Sequence, residues 1–190
     1  MELNFNDATA STGTKVIQPG IHKVKTETLE YGTSQNKGTP FLDWKVNDAG
    51  GCILSHRFYL STTVKEGSTQ SAWDITRNQL LQLVMASLNL DEVTAKTKMP
   101  TATSPEELVT KLSALVVGKE FRLKVNGEET QGAQKIFVKS KFGTGWFAES
   151  LQILDVHSRL KYSDDTNIKR LPKVEHTSET TTSDANPIGW

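Results

Sequence analysis

Residues 40–60 read PFLDWKVNDAGGCILSHRFYL, and this stretch predicts a β-hairpin. Phe41 to Asn47 and Cys52 to Leu60 are rich in aliphatic and aromatic residues, and Asn47-Asp48-Ala49-Gly50-Gly51 between them is turn chemistry. Successive side chains on a strand point to opposite faces. Leu42, Trp44 and Val46 therefore share a face with Leu54, His56, Phe58 and Leu60 of the second arm. That face is apolar enough to be core, with His56 packed or hydrogen-bonded inside it. The opposite face carries Phe41, Asp43 and Lys45, then Ser55, Arg57 and Tyr59. Rings stack on bases and cations neutralise phosphates, so Phe41, Lys45, Arg57 and Tyr59 suit single-stranded nucleic acid. An ordinary solvated strand has the same composition, and a register slip of one residue would exchange the two faces.

Two later segments repeat the pattern. In Lys119 to Asn126 (KEFRLKVN), Phe121, Leu123 and Val125 alternate with Glu120, Arg122 and Lys124. In Gln134 to Lys141 (QKIFVKSK), Ile136 and Val138 point one way, and Lys135, Phe137, Lys139 and Lys141 the other. Gly127 to Gly132 is turn material between them. Upstream, Ile21 to Glu30 predicts a first strand, and Ile21 and Val24 on opposite parities call for a bulge or bend. Tyr31 to Thr39 is a polar loop that carries Tyr31 and Lys37. Downstream, Leu151 to Val156 predicts a short strand or extended segment. Agreement among three basic or aromatic outer faces favours nucleic acid over bland solvation.

Helical spacing of Leu80, Leu81, Val84, Met85 and Leu88 predicts a helix over about 75–90, with Thr76-Arg77-Asn78-Gln79 as its capping box. Trp73 just before it is a candidate staple onto the core. Asp91 to Thr103 reads as a polar loop. Ser104-Pro105-Glu106-Glu107 starts a second helix, with Leu108, Leu112 and Leu115 as its buried stripe and Gly118 at its end. Three strands, a helical excursion and two strands is the order of a five-stranded OB-like barrel, here with an enlarged two-helix connector. Another small Greek-key barrel or an α+β sandwich fits the same order.

Charge is unevenly spread. The chain has 22 basic and 22 acidic residues, yet Met1 to Thr14 carries only Glu2 and Asp7, and Pro172 to Trp190 sets Lys173 against Glu175, Glu179 and Asp184. Both ends are net negative, so the body between is mildly basic, and binding there must rest on stacking as well as charge. The expected division is a flexible arm over 1–14, a nucleic-acid-binding domain over 15–160 and a flexible acidic tail over 161–190. The tail closes on Pro187, Ile188, Gly189 and Trp190, a compact apolar peptide beside a carboxylate, suited to a partner pocket with a basic rim.

Cys52 is the one cysteine, which permits no internal disulfide and suits a reducing compartment. No apolar run reaches membrane-span length and no signal peptide opens the chain, so the expected place is the cytoplasm, the host's if the protein is viral. His22, His56, His157 and His176 are scattered without ligand spacing, so neither metal nor cofactor is expected. Glu106-Glu107 and Glu128-Glu129 read as a helix cap and a solvated turn. Asp164-Asp165 lacks a third ligand, so no enzyme activity is expected.

The layout resembles the OB-fold single-stranded DNA-binding proteins of bacteriophages. PGIHKVK, GTPFLDWKV, HRFYLS, LLQLVMASLNL, GKEFRLKV and QKIFVKSKF carry the resemblance, over roughly residues 17–154. It implies sequence-independent single-stranded DNA binding in replication, recombination or repair, with a possible homo-oligomer. The ending Pro187-Ile188-Gly189-Trp190 is similar in character to the tails by which single-stranded DNA-binding proteins recruit replication and recombination proteins, with fewer acids than the familiar bacterial ending and with Gly189 and Trp190 where that ending has Pro and Phe. A structural or adaptor protein of a viral assembly is the alternative from another class, since a fold does not fix a function. A replication accessory enzyme is third.

Overall fold

A computed structural model describes residues 15–132, 135–143 and 145–172. The hairpin forms where the alternation places it. β2 (Pro40–Asp48) and β3 (Ile53–Tyr59) pair antiparallel. Leu42 lies opposite Phe58, Trp44 opposite His56 and Val46 opposite Leu54, so the expected apolar face turns inward without a register slip. Asp48 closes the turn: its carboxylate accepts from the Gly50 and Cys52 amides at 2.8 Å each, and Gly51 takes φ +75°.

β1 (Gly20–Thr33) is long enough to pair with two strands. Its second half runs along β2 and its first half along β4 (Glu120–Gln131). A bulge falls between Thr26 and Thr28. The bulge is later than the Ile21/Val24 parity suggested, because Ile21 is exposed and only Val24 enters the core. Thr26 shares the inward parity of Val24, and the bulge after it lets Leu29 point inward as well; the Thr26 hydroxyl accepts from the Trp44 indole N–H at 3.2 Å. That bond satisfies a fully buried ring that would otherwise carry an orphan donor.

The sheet order is β3-β2-β1-β4-β5, with β5 spanning Ile136–Phe142, and the main ladders are antiparallel. β6 (Ala148–Glu149) pairs antiparallel with β4, and β7 (Ile168–Lys169) pairs parallel with it. Among the described residues no hydrogen-bonded ladder joins β3 to β5, so the sheet is open and the expected closed barrel is not formed by backbone pairing. The end strands meet through side chains instead. His56 stacks on Phe142 at 3.9 Å between centroids, and Phe142 also packs against Trp44, Phe58 and Phe147. The fold is mainly β with helices covering it.

Helices α1 (Ala72–Leu88), α2 (Glu92–Lys98) and α3 (Pro105–Val116) form the excursion between β3 and β4. α3 begins as expected, with the Ser104 hydroxyl capping the Glu107 amide at 3.2 Å. α1 does not. Its cap is Ser71, boxed with Asp74, and Thr76 lies buried inside the helix rather than at its start. Residues 91–103 are not one loop, because Asp91 caps α2 over their first half.

Three further expectations are corrected. β4 runs straight through Gly127 to Gln131, so the turn before β5 sits later, where Gly132 donates to the Lys135 carbonyl at 3.0 Å. Leu151 to Val156 is no strand: it turns and enters a 3-10 turn at Asp155–His157. The domain does not stop at 160, since α4 (Asp164–Asn167) and β7 pack on β4, and Asn167 donates to Asn126 at 2.9 Å. Among the described residues no helix is long and apolar enough to cross a membrane.

Candidate nucleic-acid interface

The outer face of β2 and β3 is built in cross-strand rows. Phe41 faces Tyr59, Asp43 faces Arg57, and Lys45 faces Ser55. On the other side of β2, Gly32 lies opposite Phe41 and Glu30 opposite Asp43. The middle row thus carries two carboxylates beside one guanidinium, which breaks the run of positive charge read from alternate residues alone.

Tyr59 and Phe41 share a face but not an exposure. Tyr59 is 40% exposed, whereas Phe41 is 6% exposed. The Tyr59 and Phe41 rings meet in a T-shaped arrangement with centroids 5.9 Å apart, and the Arg57 guanidinium lies over the Phe41 ring, 4.6 Å from its centroid. A Cβ on Gly32 would come within 2.8 Å of the ring tip, so glycine there makes room for Phe41 to lie across β1. Phe41 is therefore no open platform for a base, contrary to the expectation that it stacks one.

Backbone anchors hold Tyr59 in place. The Thr76 hydroxyl of α1 donates to the Tyr59 carbonyl at 2.9 Å. Leu60 donates to the Pro40 carbonyl at 3.0 Å, and Trp73 to the Ser61 carbonyl at 2.9 Å. Facing Tyr59 is the β1–β2 loop, which is tied across its neck. Ser34 donates to the Thr39 carbonyl at 2.9 Å, Gly38 to the Ser34 carbonyl at 2.8 Å, and the Thr39 amide to the Ser34 hydroxyl at 3.0 Å. Loop and strand enclose a groove of about 690 Å³ lined by Gln35, Asn36, Lys37, Arg57, Tyr59 and Lys65 among others. It offers one exposed ring, three cations and two amide side chains.

The second group lies on the β4–β5 ribbon. Its distal half reaches past the start of β1, whose pairing with β4 ends at Val125. Phe137 is 46% exposed, and Lys135 and Lys139 are exposed beside it. Lys139 faces Glu128 across the ribbon, but the Glu128 carboxylate instead takes Lys141 at 2.8 Å and Lys169 at 3.1 Å. Those contacts hold the Glu128 carboxyl below its ordinary range. Lys141 is thus partly offset, while Lys124, Lys135 and Lys139 keep no acidic partner among the described residues. Ile136, expected in the core, is 52% exposed because the ribbon has left the body at that point. Phe142, partly buried, packs against the core from this strand instead. Among the described residues no ring contact, ion pair or hydrogen bond joins this ribbon to the groove under loop 33–39.

Arg122 leaves the binding set altogether. It lies on the outer parity of β4, but residues 149–158 cover it. Its guanidinium pairs with Glu149 at 3.2 Å, with Asp155, and with the Ile153 carbonyl. Glu149 is nearly fully buried, and its carboxylate also accepts from the Ser158 hydroxyl at 2.6 Å and the Arg159 amide at 2.8 Å. This is a structural lock that fastens the C-terminal segment to the sheet. Sequence reading missed it, and also missed Gln35, Asn36 and Lys65 as groove lining.

Pro187, Ile188, Gly189 and Trp190 lie outside the described residues, as does the 1–14 arm. Among the described residues no group of three or more His, Cys, Asp or Glu side chains is placed to hold a metal ion. His56 is an inward, partly covered ring, and burial pushes its imidazole down to about 4. Comparison of the chain with protein-family models finds no match, and comparison with curated proteins finds none.

Proposed function

We propose that this chain is a sequence-independent single-stranded DNA-binding protein on an OB-like barrel, acting in replication or recombination. The carrying observation is the groove beneath loop 33–39, where exposed Tyr59 sits beside Arg57, Lys37 and Lys65. A ring that stacks any base and cations that take any phosphate need no particular sequence. The order β3-β2-β1-β4-β5 supports the OB reading, since it is the strand order of that barrel with the β3–β5 seam closed by rings instead of hydrogen bonds. Exposed Phe137 with Lys124, Lys135 and Lys139 offers a second contact region.

In this proposal the strand stacks a base on Tyr59, follows Arg57, Lys37, Lys65 and Lys45, and is met again by the β4–β5 ribbon. Pro187 to Trp190 recruits a replication or recombination protein, and removing those four residues leaves DNA affinity unchanged or slightly raised while abolishing that interaction. Titration of labelled oligo-dT and of duplex of equal length tests the binding. The expected result is preference for the single strand, with affinity falling as salt rises. No binding at low salt rejects the proposal.

A further inference from the structure

The aromatic row of β2 and β3 divides its labour in a way that composition does not suggest. Phe41 and Tyr59 face each other across the strands, yet only Tyr59 offers ring area to solvent. The Phe41 ring is spanned by Arg57 and seated on the gap left by Gly32. Arg57 has Asp43 directly opposite it and still makes no ion pair with it; it stacks on the ring instead. It makes no side-chain hydrogen bond with any described residue. A guanidinium over a ring is held by its flat face, and its N–H edge stays free. Arg57 lines the groove with Lys37 and Lys65.

Resting on the reading of the groove as a single-stranded DNA site, we propose that Phe41 is a positioning residue that holds Arg57 as a fixed phosphate clamp, while Tyr59 alone supplies base stacking in the groove. A planar guanidinium fixed in this way meets a phosphate with two parallel N–H donors. Its rotamers are restricted before the strand arrives, so less entropy is lost on binding. Arg57 stays over Phe41 in the complex, and no base displaces it.

The salt dependence of affinity separates this role from base stacking. Each phosphate contact on a single strand contributes about 0.7 to the slope of log affinity against log salt. The full chain is titrated with short oligo-dT over a salt series as wild type, Arg57→Ala, Phe41→Leu, Phe41→Trp and the Phe41→Leu/Arg57→Ala double variant. Arg57→Ala and Phe41→Leu are each expected to lower the slope by about 0.7 and affinity by about tenfold, the size of one hydrogen bond to a charged group. The double variant is expected to lose no more than either single one. Phe41→Trp, which keeps a face for the guanidinium, is expected to retain the wild-type slope. A Phe41→Leu chain that weakens with an unchanged slope, and whose loss adds to that of Arg57→Ala, overturns the clamp in favour of a base on Phe41. Arg57→Ala removes an exposed side chain, so an unchanged slope there overturns it whatever Phe41→Leu does to folding. Wild type that fails to bind at low salt rejects the DNA-binding reading and this inference together; wild type that binds leaves the two separable.

Discussion

Arg57 and Arg122 occupy equivalent places in the sequence pattern and opposite ones in the molecule. Each sits on the outer parity of a strand whose other parity is core. Arg57 lies exposed over an aromatic ring and pairs with no acid among the described residues. Arg122 is enclosed by Glu149, Asp155 and the Ile153 carbonyl beneath a segment that arrives from later in the chain. Strand parity fixes the face on which a side chain emerges. It does not fix whether that face meets water or another stretch of chain. A basic outer residue is a candidate for binding only where nothing folds back over it.

The sharpest way to break this comparison is to remove the acid of the lock. Glu149→Ala leaves the Arg122 guanidinium, whose side chain is 16% exposed, without its buried partner. Asp155 and the Ile153 carbonyl still meet the guanidinium, so the loss, measured by denaturant unfolding, is expected to stay below the roughly 3–5 kcal/mol of a buried charge left wholly unpaired. Arg122→Ala is expected to destabilise through the same lock without changing the salt slope of oligo-dT binding, whereas Arg57→Ala changes stability by no more than about 0.5 kcal/mol. Equal effects of the two arginines on the slope would erase the distinction.

Next in size is Tyr59→Ala, expected to weaken oligo-dT binding by about 1–3 kcal/mol, the worth of one stacked base. Unchanged affinity would move the stacking site to Phe137 on the ribbon.

The pH dependence of the β3–β5 seam has a definite sign. His56 falls from the usual 6.5 to about 4 in the folded chain because burial disfavours its charged form. Between those values the unfolded chain binds the extra proton, so stability falls as pH drops from about 6.5 towards 4 and the term is flat below. Asp74 and Glu107, held low by Ser71 and by Lys111 and Thr103 respectively, lose their stabilisation only in the more acid carboxylate range. Thermal melts across pH 4–7 are expected to show a slope in wild type that His56→Phe flattens. An unaltered slope would mean that the seam does not desolvate this ring.

The smallest expected difference lies on the ribbon. Lys139→Ala is expected to lower the salt slope more than Lys141→Ala, because Glu128 already accepts Lys141. The reverse order would mean that the Lys141 ion pair opens on binding, as exposed pairs readily do.

Much of the sheet was legible because its signals are local. Trp44, Val46, Phe121 and Leu123 are buried at period two, and one buried face per strand is what alternation reports. Ser104-Pro105 gave α3 for the same reason: cap and first turn are neighbours in sequence. Ser71 was passed over because its box partner is Asp74 rather than Glu or Gln. α2 buries a single residue, Ala95, so seven residues carry no readable stripe. Gly127 has the residue type of a turn. It lies inside β4 because a Cβ there would sit 2.6 Å from a Val138 methyl and 2.9 Å from Pro19. A glycine kept for space and one kept for backbone freedom look alike in a sequence.

The candidate site was legible in its members and not in their roles. Tyr59, Arg57 and Phe41 were found together, yet the exposure of Tyr59 and the covering of Phe41 depend on Gly32, α1 and the tied loop. None of these lies within the hairpin. Glu149 was invisible for a related reason: Arg122, its partner, is on a different strand, 27 positions away.

The proposed function has the groove beneath loop 33–39 bind single strands without regard to sequence. Its most direct test is a titration of the full chain with labelled oligo-dT, mixed-sequence single strand and duplex across a salt series. The account predicts similar affinity for both single strands, weaker duplex binding, and a negative salt slope that drops by about 0.7 in Arg57→Ala. Absence of oligonucleotide binding at low salt, or equal affinity for duplex, would contradict it.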